Sequence, residues 1–305
     1  MRTGSTKTSG QRKVLSVSGL DCAAAFKRIA RDCVAGVKSH HSSACAGDVE
    51  AVHQIRVAIT RLRAVVSFFA QIAVDEEWLR LKQEIAWLNP SLGAARDNDV
   101  VAEYAGRKRY QAWARRTIGS DLDQRRTQDH RRLVRCLRSV RFQRLIEALS
   151  GWLKQGPWLV RWEQAARGGT AEPLERYCER ELNRWCERLI RKGWHLATLN
   201  ASRRHRLRIK AKRFRYMLEA LTDIVMVRGS GEFCHLHRLA KRLQRALGDL
   251  RDLKRLAEVG ATENGNRGRR RPPGYRRQRE KLLMAAIEAH RSFRQVGARG
   301  RLRLA

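Results

Sequence analysis

Carboxylates are scarce in this 305-residue chain: 30 Asp and Glu stand against 65 Lys and Arg, a formal net charge of +35. So lopsided a balance makes the folded state repel itself and calls for an anionic partner: a nucleic acid, an anionic membrane or a polyphosphate. Proline is nearly absent too, with 5 residues, which leaves long stretches free to run as helix. No apolar run approaches the ~18 residues of a spanning helix. The longest, Ala64 to Val74, is short and broken by polar residues, so no membrane insertion is expected. The opening, Met1 to Lys13, lacks the apolar core of a secretion signal and reads as a disordered basic tail over residues 1–16. The seven cysteines (Cys22, Cys33, Cys45, Cys136, Cys178, Cys186 and Cys234) form no C-x-x-C pair, which argues against a disulfide framework or zinc site and for a reducing, cytoplasmic setting. Absent as well are a P-loop, H-E-x-x-H, G-x-S-x-G and any dense carboxylate cluster. Phosphoryl transfer to water draws on metal-binding acids, and here the acids are dispersed, so the chain is read as a non-enzyme without a cofactor. His235 and His237, beside Cys234, lack a fourth ligand at useful spacing, and no metal site is assigned.

What the chain has is apolar residues spaced for helix. With 43% hydrophobic residues and 8 Trp it can bury a substantial core. Apolar positions recur at three- and four-residue intervals, and no run of alternating β-branched residues appears, so the fold class is all-α. The spacing predicts helices over Leu20–Ala44, Asp48–Val74, Glu76–Leu88, Arg96–Thr117, Asp121–Trp152, Leu174–Trp194, Ser202–Val227, Glu232–Val259 and Gly274–Val296. Two turn-rich stretches interrupt them, Gly156–Pro173 and Gly260–Gly274. The first divides the chain into halves of about residues 17–155 and 174–300, joined by a linker of about 156–173. The second reads as an exposed loop between two helices.

The halves resemble each other. Val52 to Phe69 reads VHQIRVAITRLRAVVSFF and Arg204 to Leu221 reads RHRLRIKAKRFRYMLEAL. Both fit H-x-x-R-x-x-x-x-R-x-R, with His53, Arg56, Arg61 and Arg63 matching His205, Arg208, Arg213 and Arg215. Downstream, LGAARD (Leu92 to Asp97) matches LGDLRD (Leu247 to Asp252). Two motifs in the same order at nearly the same spacing mark an internal duplication. On a helical wheel, His53, Arg56, Thr60 and Arg63 share one arc of about 80° beside an apolar stripe, as do His205, Arg208, Lys212 and Arg215. Arg61 and Arg213 stand on the opposite flank of the histidine.

A row of charges is usually a solvated face. These rows recur with His at their head, however, and Glu219 is the only acid near them, so like charges are stacked where they repel. An anion between them explains the pattern, and guanidinium groups suit phosphate oxygens. If the halves face each other about a pseudo-two-fold axis, the rows line one continuous basic groove. His53 and His205 read equally as structural hydrogen bonders or as ligand contacts. Gly93 and Gly248 imply close helix approach or a helix break. Asp97 and Asp252 read as partners orienting His or Arg on the neighbouring basic helix. Arg96 and Arg251 either join the anion site or pair locally, while Lys241 and Arg245 extend the lining in the second half.

In combination these motifs resemble the CHAD family, the conserved histidine α-helical domain, over roughly Val17 to Val296. The resemblance implies two four-helix-bundle halves related by pseudo-two-fold symmetry, a central basic cavity, and binding of inorganic polyphosphate, with localisation to polyphosphate granules in some members. Carried onto this sequence, the binding residues are His53, Arg56, Arg61, Arg63, Arg96, His205, Arg208, Lys212, Arg213, Arg215 and Arg251, with Lys241 added from its place on the helix. Thr60 departs from the pattern, standing where the second copy has Lys212. Family members are often fused to a triphosphate-tunnel domain with an E-x-E-x-K strand. The nearest match here, Glu179 to Asn183, lacks the Lys and lies in a helical stretch, so a standalone binding module is expected. The alternative is general nucleic-acid binding, for which exposed aromatics among the cations are the discriminating feature, with Tyr216 and Tyr275 as candidates. The sequence sets no oligomeric state.

Overall fold

The computed structural model describes residues 20–222, 224, 231–262 and 271–298. The expected tail over 1–16, and residues 263–270 of the expected loop, lie outside the described residues. Among those described every regular element is an α-helix. They are α1 (Cys22–Cys45), α2 (Val49–Phe68), α3 (Ala70–Ala73), α4 (Glu76–Ala105), α5 (Lys108–Thr117), α6 (Gly119–Leu137), α7 (Val140–Gln155), α8 (Pro157–Arg167), α9 (Leu174–Gly193), α10 (Ala201–Thr222), α11 (Gly231–Thr262) and α12 (Tyr275–Ala298). None is long and apolar enough to cross a membrane.

Scarce as acids are, several start helices by satisfying first-turn N–H groups. Asp21 accepts from Ala24 N at 2.7 Å, Asp48 from Glu50 N at 2.8 Å, and Asp75 from Trp78 N at 2.6 Å. Asp75 is buried and also takes Trp152 Nε1 and Trp158 N, each at 3.2 Å, so it ties three helices together.

The structure differs from the sequence expectation in several places, one of them Phe69, where the expected Asp48–Val74 helix divides into α2 and α3. The helices expected over Glu76–Leu88 and Arg96–Thr117 are α4, which runs through Pro90 to Ala105, followed by α5. Burial of Leu88, Leu92 and Ala95 on either side of the proline outweighs its local cost. The expected Asp121–Trp152 helix breaks at Arg138 and Ser139, where Ser139 accepts from Phe142 N at 3.2 Å and begins α7. The Gly156–Pro173 stretch contains α8, with Pro157 in its first turn, where a missing N–H costs nothing. Gly156 is needed there by contact, since a Cβ would stand 2.5 Å from Trp152 O.

Two groups of helices result, one of five and one of four. In one, α1 packs on α2, α2 on α4, α4 on α6 and α7, and α7 on α1. In the other, α9 packs on α10, α10 on α11, α11 on α12, and α12 on α9. They meet where α2 lies on α10 and α4 on α11. One apolar core runs through both, anchored by Phe26, whose ring lies 4.8 Å from Trp158 and 5.8 Å from Trp152. Each such aromatic contributes roughly 2–3 kcal/mol through burial. A smaller core joins α5 and the end of α4 to Leu253 and Leu256 of α11.

Candidate anion-binding site

Because α2 packs against α10, the two basic rows meet at the junction of the two helix groups, and α4 and α11 bring Arg96 and Arg251 alongside. The charges register one another across it. Burial, reinforced by Arg56, Arg208, Arg215 and Arg96, pushes the Lys212 ammonium down to about 7. Burial likewise lowers Arg56, with Arg251 and Arg96 adding to it and Asp97 opposing. Arg208 is lowered by burial and then by Arg251 and Arg56, with Asp252 opposing. Both imidazoles fall below their usual range, again through burial first, helped by Arg96 at His53 and by Arg251 at His205. Cations from four helices thus share a half-buried space where desolvation disfavours charge.

Among the described residues several polar atoms there have no partner: His53 Nδ1, His205 Nδ1, Arg208 Nε and Arg213 Nε are buried without a hydrogen bond. An unpaired buried polar atom costs roughly 1–3 kcal/mol, and four of them fall on motif residues. Gly93 and Gly248 stand at neither a break nor a close approach. A Cβ at Gly93 would meet nothing within 4 Å, and one at Gly248 would meet only Arg208 Nε at 3.8 Å.

The few acids lie beside some of the cations. Asp97 takes Arg251 at 3.5 Å and Arg255 at 2.6 Å, so its hydrogen bonds go to α11 rather than to a basic-row helix. Among the described residues Asp252 makes no ion pair within 4 Å. Burial pushes its carboxyl up, opposed by Arg208 and Arg251. Glu219 takes Arg61 at 3.1 Å, Arg215, and His237 at 3.0 Å. Arg96 reaches Glu103 at 3.8 Å. Arg61, Lys212 and Arg215 also surround the Tyr216 ring at 5.1, 5.2 and 4.5 Å. At 3% exposure that ring is closed to a stacking base. Arg63 faces Arg213, which burial and Arg63 together lower. Lys241 lies exposed on α11, outside these contacts.

Sequence reasoning passed over Arg204, Lys254, Arg255 and Arg279, which join His205 and Arg251 around a cavity of about 370 Å³. Arg255 is one turn beyond Arg251, so helical periodicity carried that signal. Arg279 comes from α12, which no motif marks. Other sequence candidates have structural explanations. Glu181 is buried in α9 against Arg180 and Arg184, not in a catalytic strand. His237 is engaged by Glu219, and among the described residues no three His, Cys, Asp or Glu converge to hold a metal.

A family model for the CHAD domain matches residues 28–260. The chain belongs to the CHAD family. Among solved structures it is similar to the CHAD domain from the plant Ricinus communis, with a TM-score of 0.69 and 22% identity over 96% of each chain. It is also similar to PptA from Streptomyces chartreusis, with a TM-score of 0.59 and 16% identity, covering 92% of this chain and all of that one. At these identities the likeness concerns the fold. No curated protein sequence matches the chain. This CHAD chain keeps a His and an Arg at the head of both α2 and α10.

Proposed function

We propose that this CHAD protein binds inorganic polyphosphate, without catalysis, in a basic groove between two duplicated halves of about residues 17–155 and 174–300. The observation that carries the reading is the meeting of the two motif rows at the α2–α10 junction, with buried imidazole and guanidinium nitrogens lacking a protein partner. The pairing supports the duplication, because it exchanges as a two-fold axis requires. Arg61 adjoins Arg215 while Arg213 adjoins Arg63, and Arg96 acts on His53 as Arg251 acts on His205. A ligand of bare phosphates fits a lining rich in cations whose one central aromatic, Tyr216, is buried. In a cell this reading puts the protein in the cytoplasm, at polyphosphate granules.

The test is calorimetric titration with polyphosphate of defined length near physiological salt, alongside single-stranded RNA of matched charge. Tight, saturable polyphosphate binding with much weaker RNA binding is expected. Arg208→Ala with Arg215→Ala should weaken it by tenfold or more, on the order of two lost charge-assisted contacts. Arg276→Ala with Arg277→Ala, on exposed α12 positions, should change it little. Equal losses from both pairs, or RNA binding as tight as polyphosphate, would refute a shaped site.

A further inference from the structure

A second cavity, of about 570 Å³, opens where α4 gives way to α5 and shares no lining residue with the cavity around His205. Its walls include Tyr104, Arg107, Lys108, Arg109, Tyr110 and Lys281, four cations and no acid. On a chain this basic, a solvated patch is the ordinary explanation, and three observations weigh against it here.

The first is where the charges sit. Arg107 is the N-cap of α5, without a side-chain cap bond, and Lys108 and Arg109 open its first turn, which holds no acid. Three consecutive cations therefore crowd the positive end of the helix dipole, where anions stabilise and cations destabilise. The N–H groups of Lys108 and Arg109 point out of that end with no acceptor among the described residues. The second is order. The Arg107 guanidinium lies 3.6 Å from the Tyr104 ring centroid, and Arg109 Nη1 donates to Gln278 Oε1 at 2.6 Å. Each exposed fork thus has one fixed contact, and neither has a carboxylate within ion-pair distance among the described residues. Asp249 feels the Arg107 charge only at longer range. The third is Tyr110. It is 1% exposed and lines the cavity, and its buried hydroxyl has no hydrogen-bond partner among the described residues.

We propose that this cavity is a second phosphate site, taking a compact tetrahedral phosphate as orthophosphate or as the end of a short oligophosphate. The uncapped N–H groups and the two positioned guanidiniums supply the donors that chemistry requires, and Lys108 and Lys281 add charge. The site is independent of the groove and stands whether or not the groove binds polyphosphate.

Hydrogen exchange read by mass spectrometry on the full chain tests it, with orthophosphate, tripolyphosphate and sulfate at constant ionic strength. Peptides covering residues 105–112 should gain protection with a saturable midpoint. Protection by orthophosphate identifies the free ion as ligand, and protection by tripolyphosphate alone identifies a chain end. Lys108→Gln with Arg109→Gln should raise the midpoint about tenfold, and Lys281→Gln, an exposed change on a different helix, about threefold. No protection at α5, equal protection by sulfate, or midpoints unmoved in both variants would overturn the proposal. Failure of the groove reading would show separately, as missing protection in α2 and α10.

Discussion

Lys212 should give polyphosphate binding a pH dependence that a permanent cation at the same place abolishes. Its ammonium is pushed down to about 7 by burial among Arg56, Arg208, Arg215 and Arg96, against an ordinary value of about 10.4. The other face of Lys212 is the Tyr216 ring, 5.2 Å from Nζ. In the free protein the group therefore loses its proton through the neutral range. A polyanion in the groove favours the charged form and restores the proton. Above pH 7 the complex then holds more protons than the free protein, so affinity falls as pH rises. Taking the free value as about 7, the loss is roughly tenfold between pH 6 and 8 and roughly a hundredfold by pH 9. His53 and His205, both lowered, take up protons only on the acid side and strengthen binding there. The assay is titration with polyphosphate of fixed length from pH 6 to 9 at constant ionic strength, in buffers of different ionisation enthalpy. Wild type should take up close to one proton at pH 8–9, and Lys212→Arg should bind with nearly constant affinity from pH 7 to 9. Titration of the ligand is common to both proteins and cancels in the comparison. A flat wild-type profile, or the same slope in Lys212→Arg, would refute the reasoning.

The remaining predictions concern the scaffold and the acids. Asp75→Ala removes the cap of α4 and strands Trp152 Nε1 and Trp158 N, costing about 3 kcal/mol or more in urea denaturation, while Asp75→Asn, which keeps an acceptor, should cost less. Glu219→Gln releases Arg61 and Arg215 from an internal competitor and should tighten polyphosphate binding severalfold by calorimetry; weaker binding would make Glu219 a positioning residue instead. Arg208→Met should raise the melting temperature of the free protein while weakening binding, because it takes an uncompensated cation out of a half-buried place.

What was legible in the sequence is what helical periodicity alone controls. His53 and Arg56 share one face of α2, and His205, Arg208 and Lys212 one face of α10, because their spacing puts them there, and the repeated motif marked the second helix. The missed features depend on tertiary contact. Pro90 is a strong local stop signal, overruled by Leu88 and Leu92 in the core. Gly156-Pro157 reads as a break, yet the same pair opens α8. Tyr216 qualified as an exposed aromatic on its own helix and is buried at the junction where Arg61 reaches it from α2. Arg279 joins His205 only because α12 packs on α11.

Stability and site are opposed in this fold, and their placement shows how both are kept. Around the apolar middle, Phe26, Phe68, Phe69, Trp152, Trp158 and Tyr177 form a continuous set of ring contacts. At the junction of α2 and α10 the chain instead buries cations beside one another, which lowers the stability of the free protein. Carboxylates could have neutralised all of them. They neutralise only some, Asp97 at Arg251 and Arg255 and Glu219 at Arg61 and Arg215, while Arg208 Nε, His53 Nδ1 and His205 Nδ1 have no partner among the described residues. An anion that binds there relieves the repulsion and stabilises the fold by mass action, about 2.7 kcal/mol at a hundredfold excess over its Kd. The partial neutralisation thus sets both terms together: more acids would steady the free protein and weaken the ligand, and fewer would do the reverse.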